Sequence, residues 1–173
     1  MFKKYLILFL VSVFFYNPVY SANTNVDKSS ETGKGGREDY SHLLKNKQNN
    51  FKIGFKALLK AKKYQKKGKK KKAEDRFNKA VKFLTLANED NPNQPDILNL
   101  LGFSLKKVGD FAMAEIYYLQ GLDIDPNHIG INEYLGKLYI ESKRINLAKE
   151  RLKILETCKC EEFEELKTLI AQQ

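Results

Sequence analysis

The feature that most constrains this chain is a repeat with a period of 34 residues. Three positions of one segment recur one period later, as the pairs Gly102 and Gly136, Ala114 and Ala148, and Pro126 and Cys160. A period of that length is typical of helical arrays, in which each unit buries its apolar face only against neighbouring units. The repeat therefore predicts an all-α fold of stacked helical units.

Within the best-defined unit, the apolar residues follow a helical period rather than the alternation of a strand. The first helix carries its apolar stripe at Leu98, Leu101, Leu105 and Val108. After a break at Gly109 and Asp110, a second helix carries the facing stripe at Phe111, Ala114, Tyr118 and Leu122. Pro126 closes the unit because proline cannot continue a helix. Each unit is thus predicted to be an antiparallel helical hairpin.

These residues resemble the tetratricopeptide repeat, and the resemblance extends over residues 54–160. The unit that starts at Pro95 supplies the family positions as Leu98, Leu101, Gly102, Leu105, Gly109, Ala114, Tyr118, Gly121 and Pro126. The unit that starts at Ile129 supplies Leu135, Gly136, Tyr139, Ala148, Leu152 and Leu155. In that unit Lys143 replaces the turn glycine and Cys160 replaces the proline. The resemblance implies a right-handed superhelical stack of about three helical hairpins.

The first unit is irregular and allows two registers. Counting back one period from Gly102 places Gly68 at the close contact between helices and would bury Lys67 and Lys71, which is costly. With Gly68 as the turn instead, the family positions are filled by Ala61, Tyr64, Ala73, Phe77 and Ala80. Pro92 then comes late by about two helical turns, which keeps the stripe in phase. We prefer this register, which predicts an elongated second helix.

The N-terminal segment, residues 1–21, has the layout of a secretory signal peptide. Lys3 and Lys4 precede an apolar run from Leu6 to Tyr16. That run is shorter than the roughly 20 residues of a spanning helix, so a signal cleaved after Ser21 is favoured over a retained membrane anchor. We therefore expect an exported protein, either periplasmic or secreted, in a bacterium.

The mature chain is predicted to have three parts. Residues 22–50 are rich in Ser, Asn, Thr, Gly and Lys and are expected to form a flexible leader. The array follows at 51–160, with units at 54–94, 95–128 and 129–160. Residues 161–173 are expected to form a capping helix that covers the last apolar surface of the stack.

Positive charge is concentrated in the first unit. Between Lys52 and Lys82 there are 13 lysines and Arg76 against only Glu74 and Asp75. One interpretation is a well-solvated turn, and the other is an anion-binding patch that attracts envelope lipid or polysaccharide. Nucleic acid would suit the charge equally well, but export argues against it. The residues of this patch are Lys63, Lys67, Lys69, Lys70, Lys71 and Lys72.

Cys158 and Cys160 are the two cysteines of the chain. An exported protein meets an oxidising compartment, but a disulfide across one intervening residue closes a very small ring. Free or intermolecularly reactive thiols and a local disulfide therefore remain alternatives. This cysteine pair, followed by two glutamates, resembles the tail of some exported bacterial tetratricopeptide proteins. The resemblance would imply a disulfide that holds the capping helix against the array.

Catalysis and metal binding receive little support from the sequence. The histidines are His42 and His128, and no nucleophile has a credible base and orienting acid. Asp123, Asp125 and Asn127 alternate as in a calcium loop, but they also form the ordinary closing turn of the repeat. We therefore expect no enzyme activity, no cofactor and no metal site.

The expected function is that of a non-enzymatic adaptor that binds a peptide or helix of another envelope protein. The alternative is an electrostatic tether that binds anionic lipid or polysaccharide through residues 52–82. In the family, the binding groove is lined by the first helix of each pair. The resemblance therefore implies groove residues Phe55, Leu58, Lys62, Lys66, Asp96, Asn99, Phe103, Lys106, Glu133, Lys137 and Ile140.

Overall fold

The computed structural model describes residues 41–173, which form seven α-helices and no strand. Consecutive helices pair as three hairpins, and the last helix packs against both helices of the third hairpin. This arrangement confirms the all-α stack of three hairpins with a C-terminal capping helix. The helices are α1 (Ser41–Lys66), α2 (Lys70–Asp90), α3 (Pro95–Val108), α4 (Phe111–Ile124), α5 (Ile129–Glu141), α6 (Ile145–Leu155) and α7 (Glu161–Ala171).

The N-terminal boundary of the array differs from the expectation. The predicted signal peptide and residues 22–40 of the predicted leader lie outside the described residues. Helix α1 already begins at Ser41, so residues 41–50 are helical and do not belong to a flexible leader. The physical reason is that extending an existing helix adds one hydrogen bond per ordered residue, and Leu, Lys and Gln have good helix propensity.

The first hairpin follows the register that makes Gly68 the turn. Gly68 has φ 67°, a left-handed conformation that costs glycine little. Lys67 and Lys71 stay exposed on either side of it, as this register requires. Helix α2 is 21 residues long, and its buried residues keep a helical period throughout, at Ala73, Phe77, Ala80, Leu84 and Ala87. The elongated second helix is therefore confirmed.

The turns of the second and third hairpins share one backbone conformation although their residues differ. Gly109 ends α3 with φ 90°, and Lys143 follows α5 with φ 63°. A left-handed conformation costs a non-glycine residue about 1 kcal/mol or more. The third hairpin therefore keeps the turn geometry of the family without the residue that adopts it most easily.

Close approach of α3 and α4 depends on Gly102. A Cβ atom at this position would lie 2.5 Å from Cε1 of Tyr118, whose side chain is completely buried. In the third unit, a Cβ atom at Gly136 would lie 2.6 Å from Cδ2 of Leu166 on α7. The capping helix thus packs on Gly136, the glycine that lies one repeat period after Gly102, and Leu166 is fully buried there.

Two glycines of the second unit provide a test of this contact. Alanine at either position gains about 1 kcal/mol of helix propensity. At Gly102 it would meet the rigid ring of Tyr118, whereas at Gly121 it would meet Cδ1 of Ile131, the end of a flexible side chain. We expect Gly102→Ala to lower the free energy of unfolding by about 1–3 kcal/mol, and Gly121→Ala to have a much smaller effect. Urea denaturation of both variants measures this, and equal losses would contradict the proposed role of the Tyr118 contact.

Candidate partner-binding groove

Four helices form one continuous layer of the stack. Helix α3 contacts both α1 and α5, and α5 contacts α7. The second helices of the hairpins pack on the other side of this layer. We call the surface formed by α1, α3, α5 and α7 the inner face, and all of the predicted groove residues lie on its helices.

Burial divides the predicted groove residues into three groups. The exposed ones are Phe55, Lys66 and Asp96, and the half-buried ones are Lys62, Asn99, Phe103, Lys106 and Lys137. The buried ones are Leu58, Ile140 and Glu133, which are 1%, 8% and 5% exposed, so the assignment of these three residues to the groove surface is corrected. Leu58 and Ile140 belong to the apolar core. Leu58 packs in the core cluster that includes the buried residues of α2, and Ile140 packs in the core cluster of the second and third hairpins, where apolar side chains are stabilised by burial.

Aromatic rings occupy the centre of the inner face. The ring of Phe103 on α3 lies with its centroid 5.0 Å from that of Tyr134 on α5 and 6.1 Å from that of Phe77 on α2. These distances are within the range in which aromatic pairs are favourable. Because Phe103 remains half-buried, part of its ring stays accessible to a partner.

Two lysines converge on this ring. Nζ of Lys62 on α1 lies 4.4 Å from the Phe103 centroid, and Nζ of Lys107 on α3 lies 5.4 Å from it. Burial lowers the pKa of both ammonium groups. Lys107 and Tyr134 were not among the predicted groove residues. The spacing of four between Phe103 and Lys107 on one helix is the signal that identifies Lys107.

An acidic cluster lies at the other end of the inner face. Lys137 binds Glu133 on its own helix and Glu165 on α7, the second at 2.8 Å. Burial raises the pKa of Glu133, against the effect of the hydrogen bond from Lys137. That same lysine lowers the pKa of Glu165 through its hydrogen bond. The Glu133 side chain is only 7% exposed, so this residue acts on the groove mainly by holding Lys137.

An exposed apolar row continues the inner face along α1. Phe51, Phe55 and Leu59 are four residues apart and are 38%, 40% and 52% exposed. The rings of Phe51 and Phe55 stack with centroids 5.9 Å apart. Helical geometry places Lys62 on the same side, one turn further along. The row therefore leads from the start of the array to the Phe103 ring.

Asp96 and Asn99 lie away from this centre. Asp96 Oδ1 is 3.2 Å from Nε2 of His128, which caps the start of α5. The side-chain amide of Asn99 packs against Gly130: a Cβ atom added at Gly130 would lie 2.7 Å from Nδ2 of Asn99. Lys106 pairs with Glu141 at 2.7 Å. These three residues connect α3 to α5 more than they shape an open binding surface.

The predicted lysine patch surrounds the turn between α1 and α2. All six of its lysines are exposed, and none forms a salt bridge with another described residue. Lys62 belongs to the inner face, whereas the patch lies at the end of the hairpin. The sequence run of lysines is therefore divided between two surfaces.

The turn between α6 and α7 contains a disulfide between Cys158 and Cys160, with Cα atoms 5.1 Å apart. Helix α6 ends at Leu155, and Lys159 has φ 50°, so the chain leaves the helix before the second cysteine. Of the two alternatives for these cysteines, the structure has the local disulfide. It bridges the short connection to the capping helix.

Two other features, a metal-binding cluster and a membrane-spanning helix, are absent from the described part of the chain. Within residues 49–173, whose side chains the structure describes, no three side chains from His, Cys, Asp and Glu are grouped so that they could hold a metal ion. Nor does any helix of that range have both the length and the apolar composition needed to cross a lipid bilayer.

Comparisons with known proteins agree with this geometry. Residues 95–128, the predicted second unit, match the tetratricopeptide repeat family model. The chain therefore contains a tetratricopeptide repeat and has the fold of tetratricopeptide-repeat domains. No curated protein matches the chain.

Three solved structures illustrate the likeness in fold. The tetratricopeptide domain of Arabidopsis OM64 is 17% identical with a TM-score of 0.54, covering 71% of this chain and 98% of its own. The TPR2B domain of yeast Sti1 in complex with pHsp70 is 22% identical with a TM-score of 0.54, covering 70% and 98%. The first such domain of Spaghetti (RPAP3), bound to the HSP90 peptide SRMEEVD, is 18% identical with a TM-score of 0.53, covering 70% and 95%.

The pairing of Lys137 with Glu133 generates a prediction about pH. Because burial raises the pKa of Glu133, its ionisation costs folding free energy as the pH rises above the ordinary carboxyl range, and Lys137 offsets that cost. Lys137→Met should therefore lower the free energy of unfolding by about 2 kcal/mol at neutral pH, and by much less below about pH 4. Chemical denaturation at both pH values measures the difference.

Two further variants are controls for this experiment. Adding Glu133→Gln to Lys137→Met should restore most of the stability at neutral pH, since no buried charge is then left without its partner. Lys149→Met changes an exposed lysine on α6 and should have little effect. An equal loss at both pH values for Lys137→Met would mean that packing of the lysine stem, not its charge, is what matters.

Proposed function

We propose that this protein is a non-enzymatic scaffold of the bacterial cell envelope that binds a segment of another protein on its inner face. The observation that carries the proposal is the exposed row of apolar and aromatic side chains on α1, which leads to the Phe103 ring. Contiguous exposed apolar surface with a polar border is typical of protein-binding sites. The tetratricopeptide domains of Sti1 and RPAP3, each solved with a chaperone-derived ligand, support a peptide as the ligand class.

The envelope part of the proposal has a separate basis. It rests on the basic residues and apolar run of residues 1–21, which fit an export signal. Export would also agree with a disulfide between Cys158 and Cys160, because such bonds persist in oxidising compartments. The partner is accordingly expected to be another envelope protein.

Site-specific photo-cross-linking tests the binding face. A photoreactive amino acid replaces Phe55 on the inner face in one variant and Leu119 on α4 in another. The two residues are matched because both are apolar and their exposures are 40% and 43%. In intact cells, we expect one envelope protein to be cross-linked at Phe55 and not at Leu119. Cross-linking at Leu119 alone would overturn the proposed binding face.

The exposed lysine patch favours a second candidate function, an electrostatic tether to anionic lipid or polysaccharide. Each lysine near an anionic membrane contributes about 1 kcal/mol of attraction, which salt screens. The six patch lysines are not neutralised by any described acidic residue within salt-bridge distance. The patch can therefore attract an anionic surface without rearrangement.

Flotation with anionic liposomes tests the tether. Charge reversal of Lys69, Lys70, Lys71 and Lys72 to glutamate should abolish co-flotation if the patch is a tether, and should leave cross-linking at Phe55 intact. The matched control reverses four other exposed lysines, Lys143, Lys149, Lys153 and Lys159. If both sets reduce flotation equally, the protein responds to net charge and the patch has no special role.

A further inference from the structure

We propose that Lys62 and Lys107, together with the ring of Phe103, form a site for an acidic side chain within the bound segment. This inference rests on the proposed function, since it specifies the chemistry of the partner on the inner face. It assigns to Lys107 a role that the family pattern did not suggest. The partner is accordingly a segment that places a carboxylate beside apolar side chains.

The geometry brings two positive charges to one ring from different helices. Lys62 extends from α1 and Lys107 from α3, and their Nζ atoms lie 4.4 Å and 5.4 Å from the Phe103 centroid. An aromatic face attracts a cation but carries no net charge, so it does not neutralise two ammonium groups. The two lysines therefore concentrate positive charge beside the apolar ring of Phe103.

The nearby carboxylates are already engaged elsewhere. Glu133, the acidic residue that most influences Lys62, binds Lys137, and Glu141, which influences Lys107, binds Lys106. Neither Lys62 nor Lys107 forms a salt bridge with any described residue. Burial and neighbouring lysines lower the pKa of both groups, which an incoming carboxylate would reverse. The site therefore has no negative counter-charge of its own, and the carboxylate of a ligand can supply one.

The surroundings favour an internal side chain over a chain terminus. On one side of the site, the row of Phe51, Phe55 and Leu59 provides apolar contact. On the other side, the ring centroid of Tyr134 lies 5.0 Å from that of Phe103, and Nζ of Lys137 lies 5.8 Å from the Tyr134 centroid. A segment that ended at the two lysines would leave one of these surfaces uncovered. A segment that passes through the site covers both.

The test compares short synthetic peptides in solution. The first has the sequence Ser-Leu-Phe-Glu-Leu-Phe-Ser with both ends blocked by acetyl and amide groups. The second replaces its glutamate by glutamine, and the third has that glutamine but a free terminal carboxylate. Each peptide is titrated into the full chain while NMR follows the side-chain signals of the lysines.

The expected result is a glutamate-dependent effect at two lysines. The glutamate peptide should shift the signals of Lys62 and Lys107 and bind about tenfold more tightly than the glutamine peptide, as expected for charge-assisted contacts. Lys62→Met or Lys107→Met should remove this preference, so that the glutamate and glutamine peptides bind each variant with nearly equal affinity. Lys60→Met should keep the preference, because Lys60 is exposed and helical geometry places it on the side of α1 opposite to Lys62.

Several outcomes would overturn the inference. These are no glutamate-dependent shift at Lys62 and Lys107, a preference that survives both lysine substitutions, and tight binding of the peptide with the free terminus only. If one of them occurs while Phe55 still cross-links a partner, the proposed function stands and only the carboxylate site is wrong. Loss of cross-linking at Phe55 would instead remove the proposed function itself.

Discussion

The contact between Gly102 and the Tyr118 ring determines how the rest of the stack is arranged. Only a residue without a side chain allows α3 to approach a completely buried aromatic ring so closely. Because Gly102 faces α4, the next residue, Phe103, is turned toward α1 and α5. The packing requirement of the hairpin therefore also positions the ring at the centre of the inner face. Stability and binding surface come from adjacent positions on one helix turn.

The capping helix connects this packing to the charges of the inner face. Leu166 fills the space left by Gly136, and one residue earlier Glu165 binds Lys137. The same lysine compensates the buried carboxylate of Glu133. Helix α7 thus covers apolar surface and also completes an ion-pair network. Since Lys137 is held by two carboxylates, the positive charge that remains open to a ligand lies at the α1 and α3 end.

The sequence was sufficient to predict the class of fold, the hairpins and the unusual register of the first unit. These follow from local signals, such as the turn at Gly68 and the long buried stripe of α2. It was not sufficient to separate exposed from buried groove positions, and Leu58 proved to be core. Nor does any local pattern reveal that Lys62 lies over Phe103, because the two residues belong to different hairpins. The helical start at Ser41 was missed because composition alone does not show where helix extension stops.

Lysine density by itself does not identify the binding site of this chain. The exposed lysines near Gly68 project into solvent, where salt screens their charge and each contributes little to a specific complex. Lys62 belongs to the same run, but helical phase turns it onto an aromatic ring, where partial burial strengthens its interaction with an anion. One basic segment can therefore serve two separable purposes. Long-range attraction depends on the number of lysines in the patch, whereas specificity depends on the few that share a face with Phe103.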